Sequence, residues 1–203
     1  AFRKGQDIHA RTAGEIFEVP TEEVTPELRS RAKAVNFGLI YGISGFGLSK
    51  NTGVSVREAG DFIARYFDKY PGVKDFMERS AEDGARKGYA VTMLGRRRYL
   101  PELASPKAQI REFGKRAAMN TPVQGTAADI IKLAMVRVDE ALKKEGLQAR
   151  LILQVHDELI VECPAKIKEQ VKTVLTEEME NAVSCTVPLK AEALSGHSWA
   201  EAH

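Results

Sequence analysis

A row of four residues, each four positions after the last, constrains this chain more than any other feature of its sequence. Arg29, Lys33, Phe37 and Tyr41 lie within the segment RSRAKAVNFGLIYG. Residues four apart share a face of an α-helix, so the segment is predicted to be a helix that presents these side chains along roughly 18 Å. Two cations followed by two aromatic rings suit a ligand with an anionic end and a flat end, such as a nucleoside triphosphate. The alternative is an ordinary amphipathic helix, with a core stripe beside a solvated edge.

Charge is unevenly distributed along the chain although its total is small. The 203 residues carry a formal net charge of +2, and 43% of them are hydrophobic, which is enough to bury a core. Residues 86–116 hold nine Lys or Arg against two Glu, whereas residues 156–203 hold nine Asp or Glu against four Lys. A basic block beside an acidic end is typical of a protein that holds a polyanion on one side. Solvated helical faces would produce the same pattern.

Two cysteines, Cys163 and Cys185, provide neither a disulfide scaffold nor a close pair of metal ligands. A reducing compartment is therefore expected. No apolar run is long enough to span a bilayer, so no membrane partner is expected.

Helix starts are marked by capping residues. Thr25 followed by Pro26 is typical of an N-cap and a first helical residue, and Ser55 and Glu58 have the spacing of a capping box. Helices are predicted over about 26–41, 55–70, 71–87, 107–119, 126–144 and 165–183.

Glycine, proline and β-rich runs predict what lies between the helices. The glycine-rich run ISGFGLSKNTG is expected to be a loop, and Thr121-Pro122 is expected to interrupt a helix. The segment YAVTMLGRRRYLPEL predicts an irregular hairpin, ARLILQV and ELIVEC predict a second one, and a short strand is expected after the last helix. The fold class is therefore α+β, mostly helical with a small antiparallel sheet.

Adjacent carboxylates, Asp157 and Glu158, lie between the apolar strands of the second predicted hairpin. Burying a carboxylate is costly without compensation, and adjacent hard oxygen ligands suit a divalent metal. His156 beside them would be able to hydrogen-bond a phosphate or a sugar. The alternative is that Asp157 caps the turn, where Asp is common. Combined with the cationic and aromatic helix, a metal at this hairpin would supply most parts of a nucleotidyl transfer site with two metal ions.

Several segments closely resemble blocks of the family A DNA polymerases, the bacterial DNA polymerase I type. RSRAKAVNFGLIYG resembles the fingers-helix motif and QVHDEL the palm hairpin motif of that family. Further similar blocks are GQDIHARTAGEIF, MLGRRRYLPEL, RAAMNTPVQGTAADIIK and GHSWAEAH. The resemblance covers essentially the whole chain. It implies that residues 1–115 are mainly fingers and that residues 116–203 are the C-terminal part of the palm, which carries a catalytic hairpin.

Nucleotide-binding roles follow from the resemblance for five residues. It implies that Arg29 and Lys33 hold the triphosphate of the incoming deoxynucleotide with help from His9, and that Lys33 takes part in catalysis. Phe37 is expected to pack on the sugar and base of that nucleotide. Tyr41 is expected to lie against the templating position.

Metal-binding and DNA-binding roles follow in the same way. The resemblance implies that Asp157 and Glu158 are catalytic and bind Mg²⁺, with two ions in the complete site. Residues expected to contact primer–template DNA are Arg96, Arg97, Arg98, Arg116, Asn120, Gln124, Gln154 and His156.

Parts of the family pattern have no counterpart in these 203 residues. The first palm motif, the thumb and the exonuclease domains are absent from the sequence, so a remaining polymerase segment with the other catalytic aspartate is an expected partner. The chain alone is expected to be inactive, and the bacterial cytoplasm, at the nucleoid, is the expected location. A non-catalytic module that binds nucleotide and primer–template is one alternative. A single-subunit RNA polymerase is another, although Phe37, Tyr41 and the HDE hairpin favour the DNA enzyme.

Overall fold

Residues 2–202 are described by the structure, a computed structural model. The chain divides into two compact units between Thr126 and Ala127, and this division falls inside one long helix. The predicted α+β class is confirmed, because most of the chain is helical and the strands form two separate two-stranded antiparallel sheets. None of the helices in residues 2–202 combines the length and apolar composition that crossing a membrane requires.

The first unit contains five complete helices, one hairpin and the start of the long helix. The helices are α1 (Ile8–Phe17), α2 (Pro26–Ile40), α3 (Gly45–Thr52), α4 (Val56–Lys69), α5 (Pro71–Lys87) and the first part of α6 (Ala108–Lys144). The hairpin pairs β1 (Tyr89–Val91) with β2 (Arg97–Tyr99). Short 3-10 turns occupy Phe2–Lys4, Thr21–Glu23 and Pro101–Ala104.

Both predicted helix starts are confirmed. The side chain of Thr25 accepts a hydrogen bond from the Leu28 amide at 3.2 Å, and α2 begins with Pro26. Ser55 and Glu58 form a complete capping box, with bonds of 3.2 and 2.9 Å, at the start of α4. Each cap satisfies amide groups that the first helical turn leaves without partners.

Helical structure in the glycine-rich segment contradicts the predicted loop. Ser44 caps α3 by accepting a hydrogen bond from the Gly47 amide at 3.3 Å, and Gly53 ends the helix with a φ of 74°. Leu48 in the middle of the helix is fully buried. The caps and this buried side chain outweigh the low helix propensity of glycine.

Pro122 lies inside α6, which runs without a break where the sequence predicted two helices. Proline lacks the N–H group that would donate to the carbonyl of Ala118. Two hydroxyl groups add hydrogen bonds to neighbouring carbonyls of the helix, since Thr121 donates to the Ala117 carbonyl at 2.6 Å and Thr126 donates to the Pro122 carbonyl. Packing holds this stretch as well, in a small buried cluster made of Ala90, Leu100, Ala117 and Ala118.

The main core of the first unit lies among α1, α2, α3 and α4. Its buried members are Ile16, Val35, Leu39, Leu48, Ala59 and Tyr66. Helix α2 contributes Val35 and Leu39 from its inner face, together with the buried Ala32. The opposite face of α2 is consequently free to carry exposed side chains.

The second unit contains the rest of α6, a hairpin and one further helix. Strand β3 (Arg150–Val155) pairs with β4 (Glu158–Glu162), and a register shift separates Leu151 from Leu153. Helix α7 spans Lys168–Glu180 after a 3-10 turn at Ala165–Ile167, so it is shorter than predicted. The core of this unit consists of Ala134, Val138, Leu142, Leu159, Val171, Val174 and Ala182.

Two further expectations for the second unit are wrong. No strand follows α7 in residues 181–202, where the described chain forms bends and one 3-10 turn. The apolar strands of the second hairpin, which suggested a buried site for the carboxylates, are only partly buried, because Ile152 is 52% and Leu153 44% exposed whereas Leu159 is only 8% exposed. A two-stranded sheet has a single covered face here, and the described residues place no further strand beside it.

Candidate functional site

The predicted row lies on the outer face of α2, with Tyr41 as the residue that directly follows the helix. Arg29, Lys33, Phe37 and Tyr41 are all exposed, with Phe37 45% and Tyr41 46% accessible to solvent. The Lys33 ammonium lies 5.9 Å from the centre of the Phe37 ring. The helix therefore presents charge and aromatic surface side by side, and none of the four side chains is used by the core.

His9 lies beside this row, in the first turn of α1. Its ring centre is 5.6 Å from that of Phe37, with the rings tilted by 44°. Burial lowers the pKa of His9, the cations Arg29 and Lys33 lower it further, and the carboxylate of Asp7 opposes them. A neutral imidazole is therefore favoured next to the two cations.

Asp7 connects the two helices that carry these groups. Its Oδ1 accepts hydrogen bonds from the His9 and Ala10 amides at 2.8 and 3.0 Å, so it caps α1. Its Oδ2 accepts a 2.6 Å hydrogen bond from Nε of Arg29 on α2. The Ala10 amide, followed by the Arg29 side chain, lowers the pKa of Asp7 to about 2. The carboxylate therefore holds the edge of the guanidinium that carries Nε.

The C-terminal end of α2 meets α6. Gln124 donates from Nε2 to the Tyr41 hydroxyl at 2.9 Å, and Asn120 donates from Nδ2 to Oε1 of Gln124 at 2.9 Å. Gly42 has a φ of 67°, and a Cβ atom at this position would lie 2.9 Å from the side chain of Arg116. The structure thus brings Tyr41 together with three residues for which DNA contacts were predicted.

An arginine-rich cleft lies next to this junction within the first unit. It has a volume of about 190 Å³ and is lined by Thr92, Arg96, Arg97, Arg98, Asn120, Thr121, Gln124 and Gly125. The Arg97 guanidinium stacks 4.8 Å from the centre of the Tyr89 ring. Among the described residues, nothing hydrogen-bonds the buried Oδ1 of Asn120. Five of the eight predicted DNA-binding residues therefore line one cleft.

The acidic hairpin belongs to the second unit. His156 and Asp157 form the tight turn between β3 and β4, and His156 has a φ of 53°, in the left-handed region. Gln154 closes the turn by donating from Nε2 to the His156 carbonyl at 2.6 Å. Asp157 is exposed and Glu158 is partly buried.

The hairpin carboxylates are ligands of the type that a hard divalent cation prefers, but they are too few to hold the ion by themselves. Mg²⁺ prefers oxygen ligands and keeps several from water or substrate phosphates. In residues 2–202, no group of three or more His, Cys, Asp or Glu is arranged to hold a metal ion. Asp157 and Glu158 are thus suitable partial ligands, and the other ligands would have to come from outside this turn.

Sequence reasoning missed the residues that support the row. Asp7 has the signal of an N-cap before α1, but its bond to Arg29, 22 positions away, has no local signature. Asn36 is a polar residue four positions after the buried Ala32, on the core side of α2, and it contacts His9 and Thr12. A polar side chain on the inner face of an amphipathic helix is the signal that would have identified it.

The first unit carries an exposed cationic and aromatic helix, and the second unit carries a hairpin whose turn ends in carboxylates. A family model described as DNA polymerase family A matches residues 1–201, and the chain belongs to this family.

Curated relatives and a solved structure are similar along the whole chain. DNA polymerase I of Bacillus caldotenax is 52% identical over 202 residues, and DNA polymerase I of Bacillus subtilis strain 168 is 51% identical over 202 residues. Each comparison covers 100% of this chain but only 23% of the relative. The solved POL domain of Pol1 from M. smegmatis, in complex with DNA primer-template and dNTP, superposes with a TM-score of 0.94 at 46% identity. That match covers 100% of this chain and 36% of the solved chain.

Proposed function

We propose that this chain is the fingers and C-terminal palm part of a template-directed DNA polymerase that adds deoxynucleotides to a primer 3′ end. The observation that carries the proposal is the outward row on α2, where two cations and two aromatic rings lie beside His9. Membership of DNA polymerase family A supports it. The subdomain assignment, fingers over 1–115 and palm over 116–203, is part of the same proposal.

Triphosphate binding is assigned to the N-terminal half of the row. Arg29 and Lys33 are exposed cations one helical turn apart, and such groups bind phosphate through charge-assisted hydrogen bonds. Arg29 is held through Nε by Asp7, so the bond to Asp7 leaves the other edge of the guanidinium for a second anion. Phe37, one turn further along, offers an open ring face to the sugar and base of the nucleotide.

The metal role is assigned to the hairpin of the second unit. Asp157, with Glu158 nearby, would hold Mg²⁺, and two such ions activate the attacking hydroxyl and stabilise the leaving group when both are bound. A second aspartate is required from a polymerase segment outside these 203 residues. The open apolar face of the hairpin, with Ile152 and Leu153 exposed, supports contact with such a segment.

DNA binding is assigned to the arginine-rich cleft and its surroundings. The side chains of Arg96, Arg97 and Arg98 would neutralise backbone phosphates, and Arg116, next to Gly42, is assigned to DNA binding as well. Asn120 and Gln124 carry amide groups suited to minor-groove acceptors, which every correct base pair presents in similar places. The similar POL domain of Pol1 from M. smegmatis was solved in complex with DNA primer-template and dNTP, which supports the same ligands for this chain.

Gln154 and His156 are assigned to the primer terminus because they adjoin Asp157 in the same turn. A polymerase of this kind acts in DNA replication and repair. We accordingly place the protein in the bacterial cytoplasm, at the nucleoid.

Binding without catalysis is the second candidate function for the chain on its own. The shortage of metal ligands in residues 2–202 favours it, since Asp157 and Glu158 together form less than a metal site. In this case the 203 residues would bind nucleotide and primer–template, and incorporation would need the remaining segment.

Primer extension tests the proposal and separates the two candidates. A polymerase that contains this segment should extend a primer with deoxynucleotides and Mg²⁺, and Asp157→Ala should abolish extension while primer–template affinity stays within about twofold. Asp139→Ala, at an exposed ion pair with Lys143 in the same unit, is the matched control and should extend normally. Persistent extension by Asp157→Ala, or a preference for ribonucleotides, would refute the assignment. The 203-residue chain alone should bind primer–template without extending it.

A further inference from the structure

Asn36 is a buried polar residue that the proposed function leaves without a role. It lies on the inner face of α2, directly before Phe37, and is only 7% exposed. Its Nδ2 atom is 3.0 Å from Nδ1 of His9 and 3.2 Å from Oγ1 of Thr12. Thr12 is fully buried, so the bond between Asn36 and Thr12 is shielded from water, whereas His9 is partly buried.

The hydrogen bond from Thr12 to the Ile8 carbonyl determines which groups donate and which accept in the rest of this network. Oγ1 of Thr12 lies 2.7 Å from the backbone carbonyl of Ile8, which can only accept. The hydroxyl has one proton, and it is used in that bond. Towards Asn36 the hydroxyl must therefore accept, so the group of Asn36 that faces it is the NH₂ group and not the carbonyl oxygen.

The same NH₂ group has a second hydrogen, and it meets His9. Because Nδ2 of Asn36 donates, Nδ1 of His9 must accept and carries no proton. In the neutral ring the proton then resides on Nε2. Protonating Nδ1 as well would set two donors against each other at 3.0 Å.

The charged groups around the ring act in both directions. Burial of the ring lowers the pKa of His9 most. The Asp7 carboxylate raises this pKa, whereas Arg29 and Lys33 on α2 lower it. The net effect is a lowered pKa for His9, in agreement with the geometry of the network.

We infer that Asn36 and Thr12 are positioning residues that hold His9 as the neutral tautomer with its proton on Nε2. His9 then acts as a hydrogen-bond donor of fixed polarity and not as a third cation beside Arg29 and Lys33. The identity of the anion that receives this hydrogen bond, the triphosphate of the incoming nucleotide, rests on the proposed function. The tautomer itself does not.

Nitrogen-15 NMR of histidine-labelled protein tests the tautomer without any ligand. The chain has four histidines, and the His9 signals are assigned by their loss in His9→Gln. At about pH 7, Nδ1 of His9 should show the shift of an unprotonated nitrogen and Nε2 that of a protonated one. A protonated Nδ1 at this pH would overturn the inference. Adding a deoxynucleoside triphosphate should then move the Nε2 signal. An unmoved signal with the tautomer as inferred would count against the proposed function alone.

A variant that replaces the amide donor with a charged acceptor tests the positioning role in the polymerase. In Asn36→Asp the carboxylate would accept from Nδ1–H, invert the tautomer and raise the pKa of His9. The KM for deoxynucleotide should then change between about pH 6 and pH 8 by about threefold or more relative to Asn51→Asp, with a smaller change in kcat. Asn51 is exposed on α3, and Asn51→Asp adds the same charge to the same unit. Comparison with this variant removes the pH dependence that arises from titration of the nucleotide itself. Equal pH profiles in a folded Asn36→Asp protein would refute the positioning role.

Thr12→Val covers the outcome in which Asn36→Asp does not fold. It removes the acceptor that fixes the amide while conserving the buried volume. A mixture of the two His9 tautomers is expected in the nitrogen-15 spectrum of this variant. An unchanged single tautomer would show that Thr12 does not set the direction of the network.

Discussion

Gln124 on α6 donates a hydrogen bond from Nε2 to the hydroxyl of Tyr41 at 2.9 Å, although 83 positions separate the two residues in the sequence. Asn120 extends the chain with its own 2.9 Å bond to Gln124. The end of the helix proposed to handle the nucleotide is thereby tied to amide groups proposed to contact DNA. The orientation of those amides depends on a phenol hydroxyl.

Removing that hydroxyl should reveal the coupling. Tyr41→Phe keeps the ring but leaves Gln124 without its acceptor, so the free energy of unfolding should fall by about 0.5–1.5 kcal/mol, nearer the lower value because both side chains are exposed. A double-mutant cycle with Gln124→Leu, followed by denaturant titration, measures the interaction. Tyr99→Phe, at a tyrosine that is 70% exposed, is the control. Strictly additive effects would mean that the bond contributes nothing.

Lys33→Ala should act on nucleotide use and hardly on stability. The side chain is exposed and its neighbour is the Phe37 ring, so its loss removes no core contact. A charge-assisted bond to phosphate is worth about 1.5–3 kcal/mol, so kcat/KM for deoxynucleotides should fall by about 10- to 100-fold. Lys74→Ala, at an exposed site on α5, should leave kinetics unchanged. If Lys33→Ala instead failed to fold, as measured by circular dichroism, the row would have a structural role and not one in nucleotide binding.

Phe37→Tyr should improve the use of dideoxynucleotides. The ring is 45% exposed, so a hydroxyl can be added without disturbing the core. In the proposed site the ring packs on the sugar of the nucleotide, where the new hydroxyl would stand in for the missing 3′-OH group. Competition between dideoxynucleotides and deoxynucleotides in primer extension measures the ratio. Phe46→Tyr on α3, at a ring that is 60% exposed, should not change it. An unchanged ratio of dideoxynucleotide to deoxynucleotide use in Phe37→Tyr would show that this ring does not contact the sugar.

Asp7→Asn should change how the stability of the protein depends on pH in the acidic range. The pKa of Asp7 is lowered to about 2 from 3.8, so the folded state favours its charged form. This contribution is fully present above about pH 4 and is lost as the pH falls through about 2. Thermal unfolding should therefore show Asp7→Asn to be less stable than the parent at neutral pH, with the difference shrinking across that window. Asp61→Asn, at an exposed site on α4, is the control. A difference that stays constant from pH 7 to pH 2 would contradict the assignment.

Pro122→Ala should stabilise the protein. Proline inside a helix costs up to about 3 kcal/mol relative to alanine, and the hydroxyl bonds of Thr121 and Thr126 go to other carbonyls than that of Ala118. We expect a gain of about 1–3 kcal/mol in denaturant titrations. Pro106→Ala, in the loop before α6, should show the opposite sign, with a loss of up to about 1 kcal/mol from a more flexible unfolded chain. Destabilisation by Pro122→Ala would mean that the proline ring itself packs favourably.

Local rules predicted some elements of this fold and failed at others for identifiable reasons. The capping box of Ser55 and Glu58 involves neighbours in sequence, so the sequence was sufficient to place the start of α4. Helix α3 and the unbroken α6 depend on buried contacts of Leu48 and Ala118 with distant residues, which propensity does not contain.

The candidate site shows the same limit. The row on α2 follows from helical spacing alone and was predicted. The bond between Asp7 and Arg29 and the contact between Asn36 and His9 span 22 and 27 positions. Such pairings arise when α1 packs on α2, and no local pattern specifies them.

The open hairpin of the second unit has a practical consequence. β3 and β4 pair only with each other in residues 2–202, so each has an outer edge without a partner strand, next to the exposed Ile152 and Leu153. Unpaired edges with apolar side chains are templates for adding strands from other molecules. We expect preparations of the 203-residue chain to self-associate as concentration rises, and a lysine introduced at Ile152 to keep the chain monodisperse.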